Sequence, residues 1–290
     1  MNIDRDDETV DMIIGKGHST IPRISFKLIR STALCLLLGL LGWFYCHHLI
    51  DNESTIQLKE APFQQLKSGE IILDFSLNHP LIDPPTISSS LLIWTSIFLP
   101  ISLVMGHLIW FGHKKKRVEL IMAAVGGFSM AIGLSEGATV LLKLWIQRRR
   151  PNFYSLCAFD TSLKKCTAEL KFLREANYSF PSGHSSLSSC GMTFIVWYFL
   201  GNQNNQRPFA NAMIVILPFS WTLFVAGSRI VDKWHHPSDV LAGLSLGFTT
   251  CTIAYHTWYP PIWSTKFAGV PRSLCNSNEH GNNKLPSFIR

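Results

Sequence analysis

The sequence predicts an all-α integral membrane protein: a bundle of six transmembrane helices with its functional site at the non-cytosolic membrane face. Three observations carry that prediction. The 290 residues are 47% hydrophobic and only 16% charged, where a soluble domain usually carries roughly 25% charge. Six segments approach the ~20 mostly apolar residues that a spanning helix requires. The polar residues at alternate helix ends gather histidine and arginine in short motifs.

Taken in order, residues 1–30 are polar and charged, with no apolar core or small-residue cleavage site. They read as a cytosolic arm. The expected spans are Thr32–Ile50, Ser89–Phe111, Val118–Ile146, Ser185–Leu200, Phe209–Ile230 and Val240–Tyr259, so that residues 31–259 form one six-helix transmembrane domain. The fourth is short and its start can slide back to Pro181. The third is long enough to pass beyond the hydrocarbon. Between the first two, Asp51–Ser88 leaves room for a short helix on the membrane surface. Residues 260–290 read as a cytosolic tail.

The connection HKKKR, His113 to Arg117, is short and intensely basic, which places it in the cytosol. Counting spans from there puts both termini in the cytosol too, in a multi-pass arrangement. Lys143, Arg148, Arg149, Arg150 and Arg229 then fall on the lumenal or extracellular side, against the usual bias, and ask for a local reason. The net charge of +7 suits nucleic acid or anionic lipid headgroups. So apolar a chain favours the bilayer and a phosphorylated substrate as partners, and no nucleic-acid motif is present. No pattern speaks to oligomeric state. Two glycosylation sequons, at Asn52 and Asn177, lie on the non-cytosolic side. Asn52 is sterically awkward so close to its span. Asn177 is the better candidate, and an unmodified loop asparagine fits it equally well.

Seven cysteines make no simple disulfide framework. Cys35, Cys46, Cys190 and Cys251 lie in apolar runs and read as small buried hydrophobes. Cys157 and Cys166 share one polar loop, where either a small disulfide in an oxidising compartment or two thiols is compatible. Cys275 stands in the tail.

Three motifs carry chemistry. In KLWIQRRRP, Lys143 and Arg150 are seven apart and share one side if the helix persists, with Pro151 ending it. Taken alone, snorkelling of long basic chains explains it as well. In FPSGHSS, Pro181 suits a helix start and Gly183 permits close backbone approach. The exposed N–H groups of such a start form an anion site, and His184 adds a proton-transfer group. A capped helix with a surface histidine is the plainer alternative. In SRIVDKWHHPSD, His235 and Asp239 are four apart at the head of the last span. There an acid can fix the imidazole tautomer and raise its basicity.

Together these residues say more. Lys143, Arg150 and Arg229 supply three charges for a phosphate dianion, and two histidines allow one nucleophile and one acid. No carboxylate cluster suggests Mg²⁺ or Ca²⁺, and two histidines with no well-placed cysteine do not make a zinc site. No metal and no cofactor are therefore expected. The reading is phosphoryl transfer through a phosphohistidine, with electrostatic positioning doing most of the catalysis.

The order Lys143-x6-Arg150-Pro151, Pro181-Ser182-Gly183-His184 and Ser228-Arg229-x5-His235-x3-Asp239 resembles the signature of the phosphatidic acid phosphatase (lipid phosphate phosphatase) superfamily. The surrounding HHPSDVLAG looks like its eukaryotic, membrane-bound branch. The resemblance implies that His235 attacks phosphorus, Asp239 orients it and His184 protonates the leaving oxygen. It implies that Lys143, Arg150, Ser182, Gly183 and Arg229 bind phosphoryl oxygens. Arg148 and Arg149 fall at variable motif positions, to meet headgroups or be solvated, and His236 is secondary. The implied substrates are phosphatidate, lysophosphatidate, diacylglycerol pyrophosphate and sphingoid-base phosphates. A lipid phosphotransferase and a non-catalytic lipid-phosphate binder are the alternatives. The related vanadate-dependent haloperoxidases are soluble, which six spans argue against. Glu136, an acid inside a span, is costly there and reads as a structural hydrogen-bonding group or as a partner that positions Lys143.

Overall fold

The computed structural model describes residues 26–51, 61–203, 207–264 and 267–279. Long helices dominate it. The first, α1 (Phe26–Asp51), packs along α4 (Arg117–Ile146). Between them lie a short antiparallel hairpin, β1 (Phe63–Gln65) with β2 (Ile71–Leu73), and a continuous rod from Ser89 to Phe111. That rod joins α2 (Ser89–Ile93) to α3 (Leu99–Phe111) through a π turn, Trp94–Phe98. Pro100 explains the turn: it brings no N–H to the Ser96 carbonyl one turn back, so the backbone widens there. Where the sequence suggested a surface helix, residues 61–88 hold the β1–β2 hairpin and a single 3₁₀ turn, Phe75–Leu77.

After α4 the chain makes a small cap: α5 (Phe153–Cys157), a two-residue hairpin of β3 (Phe159–Asp160) with β4 (Lys165–Cys166), and α6 (Leu170–Asn177). Cys157 and Cys166 are joined as a disulfide, their Cα atoms 5.1 Å apart. Phe153, Tyr154, Leu156 and Ala176 bury around it, with Leu77 packed beneath. The Tyr154 hydroxyl donates to the Pro62 carbonyl and ties the cap to the first hairpin. Three helices complete the bundle: α7 (Gly183–Asn202), α8 (Pro208–Val231) and α9 (Pro237–Trp258), followed by the short α10 (Arg272–Glu279).

The centre of the bundle is the α7–α9 crossing. A Cβ on Gly243 would stand 2.5 Å from the Ser182 carbonyl oxygen, and one on Gly247 would stand 2.1 Å from that of Ser186. Glycine at two positions one turn apart thus lets the backbones meet directly, the small-residue packing that membrane helices favour. An aromatic core of Phe128, Phe194, Tyr198, Tyr255 and Tyr259 fills the bundle at the opposite end of these helices.

The all-α class holds, but the six-span expectation does not. Among the described residues only Ser89–Phe111, Arg117–Ile146 and Pro208–Val231 are long and apolar enough to cross a membrane. The described apolar part of α1 is shorter, Leu28–Leu37. Polarity explains the other two. α7 opens with serines at 185, 186, 188 and 189, and α9 carries Asp239, His256 and four threonines. Several of these groups bond inside the protein: Thr139 and Ser186 hydroxyls meet at 2.9 Å, and Ser189 Oγ donates to the Leu244 carbonyl at 2.8 Å. α7 is the polar heart of the bundle, with Ser185, Ser186 and Ser188 all buried.

Candidate active site

The site is assembled at the heads of α7 and α9, the ends of α4 and α8, and the segments beside them. α4 ends sooner than the sequence suggested. Gln147 takes a left-handed conformation (φ 47°) and caps the helix, so Lys143 and Arg150 do not share one helical face. Arg150 instead rides an extended segment whose backbone N–H bonds the Ala176 carbonyl at 2.9 Å. Its guanidinium donates to the carbonyls of Glu175 (2.6 Å) and Trp234 (3.0 Å) and lies over the Trp234 ring. The side chain is buried, which pulls its pKa down to about 10 against the charges of Glu175 and Asp239. It stays a cation at neutral pH.

His235 is 4% exposed. Its Nδ1 lies 2.7 Å from the Ser179 carbonyl oxygen, which can only accept, so Nδ1 carries the proton. The lone pair therefore sits on Nε2, 3.3 Å from the Arg150 guanidinium. Burial, followed by the charge of Arg150, pushes the His235 pKa well below the usual histidine value. The ring is neutral, and its deprotonated Nε2 accepts from the Arg150 guanidinium.

Asp239 is fully buried. It lies 3.9 Å from His235 Nδ1, too far for a direct hydrogen bond. Its real partners are Arg148 Nη1 (2.6 Å), the Ser179 hydroxyl (2.6 Å) and the backbone N–H of His236 (3.0 Å), the last of which also caps α9. Burial opposes ionisation, yet His235, Ser179, the His236 N–H and Arg148 outweigh it and hold Asp239 at about 2.

The opposite wall holds the remaining groups. Lys143 Nζ donates to the Tyr178 carbonyl at 2.8 Å, and a Cβ on Gly183 would lie 4.0 Å from Lys143 Cε. Ser182 caps α7, its hydroxyl facing the Ser185 N–H, and its own N–H bonds the Asp239 carbonyl at 3.0 Å. His184 Nε2 is buried with no hydrogen-bond partner. Burial and then the charges of Arg229, Arg150 and Lys143 lower its pKa to about 3. Arg229 is 2% exposed and pairs with Asp232 at 3.1 Å. Asp232 is held in turn by Thr86, through the backbone N–H (2.8 Å) and the hydroxyl (2.6 Å). Three cations, Lys143, Arg150 and Arg229, thus lie around two imidazoles, His184 and His235. Among the described residues no three His, Cys, Asp or Glu side chains gather as a metal-ligand set.

Four contributors escaped the sequence reading. Asp232 had a signal, an acid three residues after Arg229 on one helix face. Arg148 stood in plain view as one of three arginines but was read as variable. Ser179 and Thr86 act from segments brought near only by folding. Outside the pocket, the Asn177 side chain is buried and its Nδ2 donates to the Leu173 carbonyl at 2.8 Å. Asn52 lies outside the described residues. Glu136 Oε1 has no hydrogen-bond partner.

Known proteins share this chain's pattern. The profile of the PAP2 superfamily matches residues 124–263, which contain all three motifs. A PA-phosphatase related-family protein of Dictyostelium discoideum is 27% identical over 82% of this chain and 85% of its own length. Lipid phosphate phosphatase 2 of Arabidopsis thaliana is 28% identical over 76% of this chain and 77% of its own. Phospholipid phosphatase 2 of Homo sapiens is 28% identical over 76% and 81%. No solved structure matches. By these sequence matches the chain belongs to the PAP2 superfamily, and the charged cluster at the heads of α7 and α9 is a PAP2-type phosphatase site in a membrane-associated protein.

Proposed function

We propose that this chain is a metal-independent lipid phosphate phosphohydrolase acting through a phosphohistidine, with His235 as nucleophile. The observation that carries this reading is the state of His235: Nδ1 protonated against a carbonyl, and a deprotonated Nε2 that accepts from Arg150. Nε2 attacks phosphorus as the bond to the lipid oxygen breaks, and His184 gives that oxygen its proton. Water, losing a proton to His184, then attacks the phosphohistidine and releases phosphate. Lys143, Arg150 and Arg229 hold the phosphoryl oxygens with the Ser182 and Gly183 end of α7, stabilising the charge that builds in transfer. Asp239 orients the site around the nucleophile.

Burial and the charges of Arg229, Arg150 and Lys143 hold His184 neutral, at a pKa of about 3. A phosphate dianion reverses the local charge and favours the imidazolium. The substrate thereby arms its own general acid.

The substrate class is lipid phosphates: phosphatidate, lysophosphatidate, diacylglycerol pyrophosphate or sphingoid-base phosphates. The names of the relatives and the apolar rods beside the site support it. Residues 31–259 carry the phosphatase unit, flanked by arms at 1–30 and 260–290. Among the described residues α4 is one of three helices long and apolar enough to span, with HKKKR at its start. A cytosolic start places its other end, and with it the active site, on the lumenal or extracellular side, where a disulfide such as Cys157–Cys166 persists.

The test is phosphate release from phosphatidate in detergent micelles with excess EDTA, for the wild type and His235→Ala. Activity that survives EDTA, with acid-labile phosphate on the wild type and none on His235→Ala, supports the mechanism. Activity lost to EDTA, or retained in His235→Ala, overturns it.

A further inference from the structure

Trp234 occupies one of the five positions that the spacing Arg229-x5-His235 leaves open. The chain reaches it through a left-handed Lys233 (φ 58°) just beyond α8. The backbone N–H groups of Trp234 and His235 both donate to the Arg229 carbonyl, at 3.1 and 3.2 Å. The residue before the proposed nucleophile is thus tied to one arginine of the site, and it also carries the other. Its carbonyl accepts from Arg150 Nη1 at 3.0 Å, and its ring lies beneath that guanidinium, with Cζ 5.1 Å from the ring centroid. The ring is itself held. Nε1 donates to the Ile82 carbonyl at 3.2 Å, and the side chain packs against the buried cluster of Phe153, Tyr154 and Leu156 in the cap.

A guanidinium is planar, with its five N–H donors in that plane. The carbonyls of Glu175 and Trp234 take Nε and Nη1, and Nη1 also faces His235 Nε2. Among the described residues no hydrogen bond reaches Nη2, which is left for a phosphoryl oxygen. Two in-plane bonds fix where the group lies but let it tilt about the line between them. An aromatic face beneath it blocks that tilt, and the negative face of the ring attracts the cation it supports.

We propose that the Trp234 ring is the platform that aims Arg150 at the phosphoryl group. It is a positioning residue, acting through Arg150 rather than touching the substrate. Burial adds to its weight: Arg150 is only 8% exposed, and a desolvated cation draws more from an aromatic face than an exposed one does. The inference rests on the reading of Arg150 as a phosphate-binding group.

The experiment is calorimetric titration of the full chain in detergent micelles with inorganic phosphate. The proteins are the wild type, Trp234→Phe, Trp234→Leu and Arg150→Ala, with thermal melts to report folding. Trp234→Leu keeps the backbone carbonyl and loses the aromatic face, so its Kd should rise by about tenfold. Trp234→Phe keeps a face and loses Nε1–H, and should stay within about threefold of the wild type. A ring that served only to tie down Ile82 through Nε1 would leave the two variants equally weak, and that result overturns the proposal. So does a folded Trp234→Leu that binds phosphate as the wild type does. Trp234→Met, flexible enough to fill the space, takes its place where the leucine variant does not fold. Wild-type affinity in Arg150→Ala, or no binding by the wild type, instead sinks the reading of Arg150 beneath it.

Discussion

Arg148 Nη1 lies 2.6 Å from Asp239 Oδ1 and also donates to the Ser238 hydroxyl at 2.7 Å. The pair locks the α4–α5 connection to the first turn of α9. Arg148→Ala should lower kcat by about tenfold, roughly one charge-assisted hydrogen bond in the transition state. Its guanidinium is 37% exposed, so the stability cost should be only about 1 kcal/mol. Arg148→Lys should recover much of the loss, because both bonds come from the single nitrogen Nη1 and an ammonium that reaches Asp239 can donate to both oxygens. Steady-state kinetics and thermal melts of the three proteins check this.

The hold on Arg229 is less visible and equally testable. Asp232→Asn leaves a buried guanidinium without its acid partner, and should destabilise the protein by about 3 kcal/mol. Thr86→Val removes one of two hydrogen bonds to Asp232 and leaves the backbone one. It should fold normally and raise KM by about threefold, with kcat little changed. Inhibition by inorganic phosphate provides a second reading of the same loosening.

Histidine sets the acid stability. Because His184 falls to about 3 in the folded chain from an ordinary 6.5, the unfolded state binds the extra proton between those values. Folded stability should therefore fall as pH drops from about 6.5 toward 3. Asp239, held at about 2 from an ordinary 3.8, works the same way lower down. The stability it adds is complete above about 3.8 and is lost as pH falls through 2. Melting temperature against pH should show the upper phase first, flattened in His184→Gln. Saturating phosphate should also blunt it, because the anion favours the imidazolium.

The Cys157–Cys166 bridge closes a short loop between Arg150 and Glu175, whose carbonyl holds the Arg150 guanidinium. Cys157→Ser should cost about 2–3 kcal/mol by the loop-entropy estimate. It should also weaken phosphate binding, with reductant producing the same change in the wild type alone.

Much of the site was legible because its chemistry is written in fixed spacings at helix ends. His235, Asp239 and Arg150 lie within one pocket as the motif order implied. The shape of their contacts was not legible. Spacing of four suggested that Asp239 would bond His235, but tertiary partners from residues 148 and 179 took the carboxylate first. Lys143 and Arg150 were expected on one helical face, and a left-handed Gln147 ended that helix early. The span count failed for a related reason. Length and the presence of apolar residues mark a helix, but not whether its serines and threonines face lipid or another helix. In α7 they face Thr139 and α9.

The glycine seam between α7 and α9 has a mechanical meaning. His184 opens one of these helices and His235 stands just before the other. Where two backbones touch through Gly243 and Gly247, nothing compressible lies between them. The two histidines behave as two points on one ruler, set at folding. On the proposed reading, adjustment to leaving groups of different size falls to the segment beyond α4 that carries Arg150 and to the end of α8 that carries Arg229.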